Sequence, residues 1–124
     1  MVEEYVQGFR MSEFYEIHQR KALIIGISDY SELRKMGAWT ESFSDLPEVK
    51  KDIKVVSQGL RRLGFSRNNI TMLLDPQIDD IKLETKQIAI DVIKNNREGE
   101  NTLVFVYYAG HGCDENFTKI LLNT

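Results

Sequence analysis

The sequence predicts an α/β domain built on a mostly parallel sheet, and three observations carry that prediction. Two apolar runs, Ala22 to Ser28 and Thr102 to Tyr108, lack the alternation of a half-exposed strand and read as strands covered on both faces. A third short strand, Ile70 to Leu74, lies between two segments of helical periodicity. The order is therefore β–α–β–α–β, which places right-handed crossovers between parallel strands.

The elements follow in order. Met1 to Arg20 is polar, with Tyr5, Val6, Phe9, Phe14 and Tyr15 at roughly helical spacing. It is expected to be an amino-terminal arm or helix ahead of a domain spanning 21–124. Gly26, inside the first strand, suggests close backbone approach or tight helix packing. Asp29 to Ser44 reads as a loop, long enough to be functional or mobile. A helix is expected from Asp45, which stands at capping-box-like spacing from Glu48, with Pro47 in the first turn. Val49, Ile53, Val56, Leu60 and Leu63 recur at helical spacing and form one face. Gly64 is a fitting stop. Asp75-Pro76 turns the chain after the middle strand. Asp79 or Asp80 is expected to cap a second helix reaching about Asn95, with Ile88, Ala89, Val92 and Ile93 inward. Asn95 to Asn101 leads into the last strand. The neighbour order expected for the three strands is second, first, third, the flavodoxin-like order.

Composition narrows the function. The 124 residues suit one small domain, 42% hydrophobic and 28% charged. A net charge of −3 with scattered Lys and Arg argues against a nucleic-acid partner. No apolar run reaches membrane-spanning length, so no membrane partner is expected. MVEEYVQGFR is acidic and interrupted, unlike a secretory signal. One cysteine excludes an internal disulfide and a multi-cysteine zinc site, and points to a reducing, cytoplasmic setting. Nucleotide binding has no support, because neither GxxxxGK[ST] nor GxGxxG follows a strand.

The chemistry gathers at Gly110-His111-Gly112. The last strand delivers His111 to the carboxyl edge of the sheet, where open α/β folds bind ligands. In the expected strand order, Ser28 to Tyr30 lie beside it. An imidazole there is a candidate general base. His18, on the polar amino-terminal segment, is assigned no role.

The succession KALIIGISDY, DLPEVKKDIKVVSQGLRRLGF, NITMLLD and LVFVYYAGHG resembles the caspase-like cysteine peptidases, a group that includes caspases, metacaspases and paracaspases. The resemblance covers Lys21 to Thr124 and implies a three-layer αβα fold. It also implies peptidase activity through a thiolate and a histidine, by way of an acyl-enzyme. It maps the general base onto His111 and one oxyanion donor onto the N–H of Gly112. ILLNT, Ile120 to Thr124, resembles the short strand that follows the histidine block. In caspases the nucleophilic cysteine follows the histidine by roughly 50 residues, and thirteen residues follow His111 here. The domain is therefore expected to be partial, truncated before the strand that carries the nucleophile. Cys113 stands two residues from His111, a spacing that rarely brings side chains to a common point, and it reads as an incidental thiol.

For substrate binding, Asp52 aligns best with the acidic pocket residue of metacaspases, against the alternative of a solvated helix carboxylate near lysines. Arg34 is the only arginine in the long loop and the alternative partner for an acidic substrate. Asp29 and Glu32 are further acidic loop candidates. No cofactor is expected, although the likeness to metacaspases raises calcium dependence at Asp29 and Glu32. The implied partner is a peptide or protein substrate. A second reading is an inactive caspase-like pseudoenzyme serving as an interaction module. If the sheet ends at Thr102 to Tyr108, that apolar edge is expected to be covered by the arm, by ILLNT, by a second copy or by a complementing chain.

Overall fold

Ala22, Leu23, Ile24 and Ile25 can be a strand only where both faces are shielded from water. The computed structural model, which describes residues 5–6, 9–10, 16–37 and 43–112, puts them at the centre of a parallel sheet. Two short strands come first, β1 (Tyr5–Val6) and β2 (Phe9–Arg10), paired antiparallel with Val6 opposite Phe9. This part of the arm is thus extended, not helical. β-branched and aromatic residues flank Gly8 in the sequence, a pattern that favours strand pairing over a helix.

The sheet has β3 (Gln19–Gly26) in the middle, β4 (Ile70–Leu74) on one side and β5 (Thr102–Ala109) on the other. The predicted strand order therefore holds. β3 starts earlier than expected, because Gln19 to Lys21 pair with Thr102 to Val104 of β5. His18 helps to set that register: its Nδ1 accepts the Asn101 N–H at 2.9 Å, just before β5 begins.

Helix α1 (Ser31–Lys35) lies within the segment read as loop. Helix α2 (Val49–Arg62) packs on one face of the sheet. Its Val49, Ile53 and Leu60 share a core with Ala22 and Ile24 of β3 and with Phe65. Gly26 ends the same strand face, and a methyl there would lie 2.7 Å from Val49 Cγ1. The close approach expected at Gly26 is real. Helix α3 (Ile78–Arg97) covers the opposite face. Alternation puts Lys21, Leu23 and Ile25 on that side, and Lys21 Nζ meets the α3 residue Asp91 at 2.8 Å. The three layers are α2, sheet and α3.

Several local expectations need correction. α2 begins at Val49, not Asp45, and no side chain caps it. The Asp45 carboxylate is used elsewhere, as described below. Leu63 is 71% exposed and leaves the apolar face. Phe65 takes its place: Gly64 turns back at φ +93°, and the Phe65 N–H donates to the Leu60 carbonyl at 3.0 Å. This is a Schellman ending, with Phe65 and Leu60 packed in the core. α3 is capped by Gln77, in a reciprocal box with Asp80, not by Asp79 or Asp80. On α3, Ile88 and Val92 are half-buried, but Ala89 and Ile93 face outward.

β5 departs most from expectation. Its residues were expected to be covered on both faces, yet Leu103, Val104, Phe105, Val106 and Tyr108 are 38–61% exposed. The reason lies in its neighbours. Among the described residues β5 pairs with β3 alone, so its outer edge and the adjoining faces lack cover. ILLNT and Cys113 lie outside the described residues, as do Phe14 and Tyr15.

Candidate active site

The sheet register builds the site. β3 and β5 end side by side, with Gly26 opposite Ala109, and the Ile27 N–H donates to the Ala109 carbonyl at 2.9 Å. The chain leaving β3 therefore runs next to His111, as the strand order implies. His111 is half-buried at the sheet rim. Its backbone N–H donates to the Tyr30 hydroxyl at 2.7 Å, and its carbonyl accepts from the Tyr108 hydroxyl at 2.9 Å. Gly110 is required for this arrangement, since a methyl there would stand 2.5 Å from the Tyr108 hydroxyl and 2.7 Å from that of Tyr30.

Two aromatic rings hold the imidazole. Tyr30 meets it edge-on at 4.5 Å and Phe43 at 5.5 Å, and the two rings stack on each other at 5.8 Å. Nε2 lies 2.7 Å from the Ser44 carbonyl oxygen. A carbonyl can only accept, so Nε2 carries the hydrogen. That leaves Nδ1 of the neutral ring as the basic nitrogen. Among the described residues nothing hydrogen-bonds to Nδ1.

His111 lines a cavity of about 530 Å³ together with Asp29, Tyr30, Glu32, Asp75 and Tyr108, among others. Among the described residues its lining holds three carboxylates and no lysine or arginine, a field that favours a cationic guest. Asp29 accepts the Ser31 N–H at 2.9 Å, and bonds from Ser31 hold its carboxyl below the usual range. Burial alone would raise the Asp75 carboxyl. The N–H groups of Asp29 and Ser28 and the Ser28 hydroxyl outweigh it and hold Asp75 low. These bonds, at 2.7–3.0 Å, fix the turn leaving β3.

The other sequence candidates fall in different places. Gly112 follows His111 directly and is exposed, with no neighbour among the described residues within 4 Å of a methyl placed on it. Asp52 is exposed in the first turn of α2 and does not line the cavity. Arg34 pairs with Asp45 at 2.8 Å and does not line the cavity either. No cluster of three or more His, Cys, Asp or Glu that could hold a metal ion occurs among the described residues. No helix among the described residues is long and apolar enough to cross a membrane.

Sequence reasoning placed Tyr30 beside His111 without giving it a role, and missed Phe43, Ser44 and Asp75 as parts of the site. Ser44 works through its backbone oxygen and leaves no side-chain signature. A role for Tyr30 could have been found, because it closes KALIIGISDY at the strand end predicted to lie beside His111.

The rim thus holds an imidazole whose Nε2 is engaged by a backbone carbonyl, beside a cavity lined by carboxylates. The described residues contain no cysteine. Comparison with known proteins places the fold in a family. The family model described as Caspase domain matches residues 19–122. Metacaspase-6 of Arabidopsis thaliana is 31% identical over 97 residues, which make up 75% of this chain and 23% of that protein. The chain thus spans under a quarter of the length of that relative. No solved structure matches. The α/β sheet, the strand order and a family match over 19–122 lead to one conclusion: the chain belongs to the caspase-domain family.

Proposed function

We propose that this chain supplies the general-base half of a cysteine endopeptidase site. His111 Nδ1 takes the proton of a cysteine thiol, and the thiolate attacks the substrate carbonyl to give an acyl-enzyme. The N–H of Gly112 donates to the oxyanion. The protonated imidazole then returns its proton to the leaving amine, and water hydrolyses the thioester. The cysteine is brought to the rim by polypeptide outside the described residues. Cleavage after Arg or Lys fits the acidic lining, with Asp29 as the first carboxylate the basic side chain meets. Asp52 contributes only if substrate extends past the cavity to α2. The observation that carries this reading is the 2.7 Å contact from Nε2 to the Ser44 carbonyl, which leaves Nδ1 to act as base.

The test is cleavage of fluorogenic Arg-, Lys- and Asp-based peptides. The chain is assayed alone and together with polypeptide supplying the next strand and its cysteine. The expected result is cleavage of Arg and Lys peptides on reconstitution, lost in His111→Ala and kept in Cys113→Ser. Cleavage that survives His111→Ala would overturn the role of the base. Loss in Cys113→Ser would move the nucleophile into this chain.

The exposure of β5 favours a second reading, an inactive interaction module that offers this edge to a second copy or a complementing chain. Absence of cleavage under every condition, with binding through β5 retained, would select it.

A further inference from the structure

We infer that Arg34 and Asp45 form a clamp that holds the Ser44 carbonyl against His111, which makes both of them positioning residues for the base. Residues 43–46 belong to no helix or strand, so no helix or sheet ladder sets the place of the Ser44 oxygen. The Arg34 guanidinium does this from both sides. Its Nη1 donates to the Phe43 carbonyl at 2.9 Å and to Asp45 Oδ1 at 2.8 Å, and Ser44 lies between those two points. Asp45 Oδ1 also accepts the Tyr30 N–H at 2.9 Å. Tyr30 in turn accepts the His111 N–H through its hydroxyl. The result is a closed circuit: His111 to Ser44, Ser44 to Asp45 along the chain, Asp45 to Tyr30, Tyr30 back to His111. One boundary of the segment is also pinned, where the Leu46 N–H donates to the Ser28 carbonyl at 2.8 Å.

The pair is badly placed to be a stability device. Its side chains are 32% and 51% exposed, and exposed ion pairs add little to folding. Its hydrogen-bond geometry is nevertheless well defined. The bond from Arg34, with a second from the Tyr30 N–H, holds the Asp45 carboxyl low, and the bond to Asp45 raises Arg34. Both bonds leave one nitrogen of a planar, rigid guanidinium, and lysine would have to reach the same point on a shorter, flexible stem with a more strongly hydrated charge. The inference rests on His111 being the base of the proposed site, but its test needs no cleavage.

The measurement is solvent exchange of the imidazole Nε2–H in the ¹⁵N-labelled chain, read beside the backbone amides of β3. In the wild type the Nε2–H is expected to be visible and protected. Arg34→Met should speed its exchange at least about tenfold, the scale of losing one charge-assisted hydrogen bond, with β3 amides unchanged. Arg34→Lys should fall between the two. Asp45→Asn should act like Arg34→Met and serves if that variant does not fold. Unchanged exchange in both variants overturns the clamp. Equal acceleration of imidazole and β3 amides overturns it too, because the pair would then be holding the whole fold. Failure of the peptidase reading would appear as absent cleavage with these exchange results intact.

Discussion

β3 and β5 are written in nearly the same alphabet and live in opposite surroundings. Both are eight residues long, apolar through their centres, parallel and in register. Yet Leu23 and Ile24 of β3 are 2% and 0% exposed, whereas Leu103 and Val106 of β5 are 41% and 61% exposed. Neighbours account for the difference. β3 has a strand on each side and a helix on each face. β5 has one paired strand among the described residues. An apolar run without alternation therefore states the cover a strand needs, not the cover it has. On β5 that need is unmet among the described residues.

The largest expected effect tests that contrast directly. Ile24→Ala should cost about 2–5 kcal/mol, as fully buried large-to-small changes do. Val106→Ala should cost less than about 1 kcal/mol, since its side chain already meets water. Urea denaturation of the two variants measures both. Equal losses would mean that β5 is covered in solution and would break the comparison.

A second effect separates the carboxyl ends of the same two strands. Gly26→Ala drives a methyl to 2.7 Å from Val49 Cγ1 and 3.0 Å from Ile53 Cγ2, both core atoms. The cost should be about 1–3 kcal/mol, seen as a lowered Tm. Gly110→Ala meets the hydroxyls of Tyr108 and Tyr30 instead. It should leave the core intact and displace His111, visible as shifted imidazole resonances. A core loss from Gly110→Ala matching that from Gly26→Ala would erase the distinction between an end that packs and an end that positions His111.

What the sequence disclosed follows the same division. β3, β4, the strand order and the tight approach at Gly26 were all legible, because continuous apolar runs and glycines inside them have few structural readings. The α2 stripe was legible up to Leu60 and failed at Leu63, where a Schellman turn handed the core position to Phe65. The position of His111 was legible from the strand that delivers it and the glycines beside it. Its surroundings were not. Ser44 contributes a backbone oxygen, and the side chains of Arg34 and Asp45 act across a chain separation of 11 residues. Asp45 was misread as a helix cap because local spacing outweighed a distant partner. Such contacts depend on where the sheet edge puts the loops, which no periodicity records.

A smaller effect concerns how the two strand ends are tied. The β3 exit is held by the Asp75 carboxylate, which bonds to Ser28 and Asp29. The β5 exit is held by tyrosine hydroxyls. Asp75→Ala should cost about 1–2 kcal/mol, a modest loss because the group is partly solvated. The sign with pH is fixed by the lowered carboxyl. Its pKa in the fold lies below the ordinary 3.8. Its contribution is therefore complete above the unfolded value and is lost as pH falls through the folded one. Acid should loosen the Ser28–Asp29 turn as Asp75 protonates, and Asp75→Ala should remove that step; chemical shifts over a pH titration would report both.

The smallest expected change in stability carries the most information about β5. Val106 is 61% exposed, so Val106→Lys should alter folding free energy by no more than about 0.5 kcal/mol. Its effect on association should be large. An unpaired apolar edge invites another strand, and an added lysine is how natural sheets discourage that pairing. If β5 recruits a second copy or a complementing chain, wild-type sedimentation should depend on concentration or partner, and the lysine variant should remain monomeric. Exchange of the β5 amides sharpens the result. Those bonded to β3 should stay protected in both proteins, while those on the outer edge should gain protection only in the associated wild type. A wild type that stays monomeric, with its outer-edge amides in fast exchange at every concentration, would mean that the edge recruits nothing on its own. The apolar character of β5 would then answer only to a strand supplied by the rest of a caspase domain.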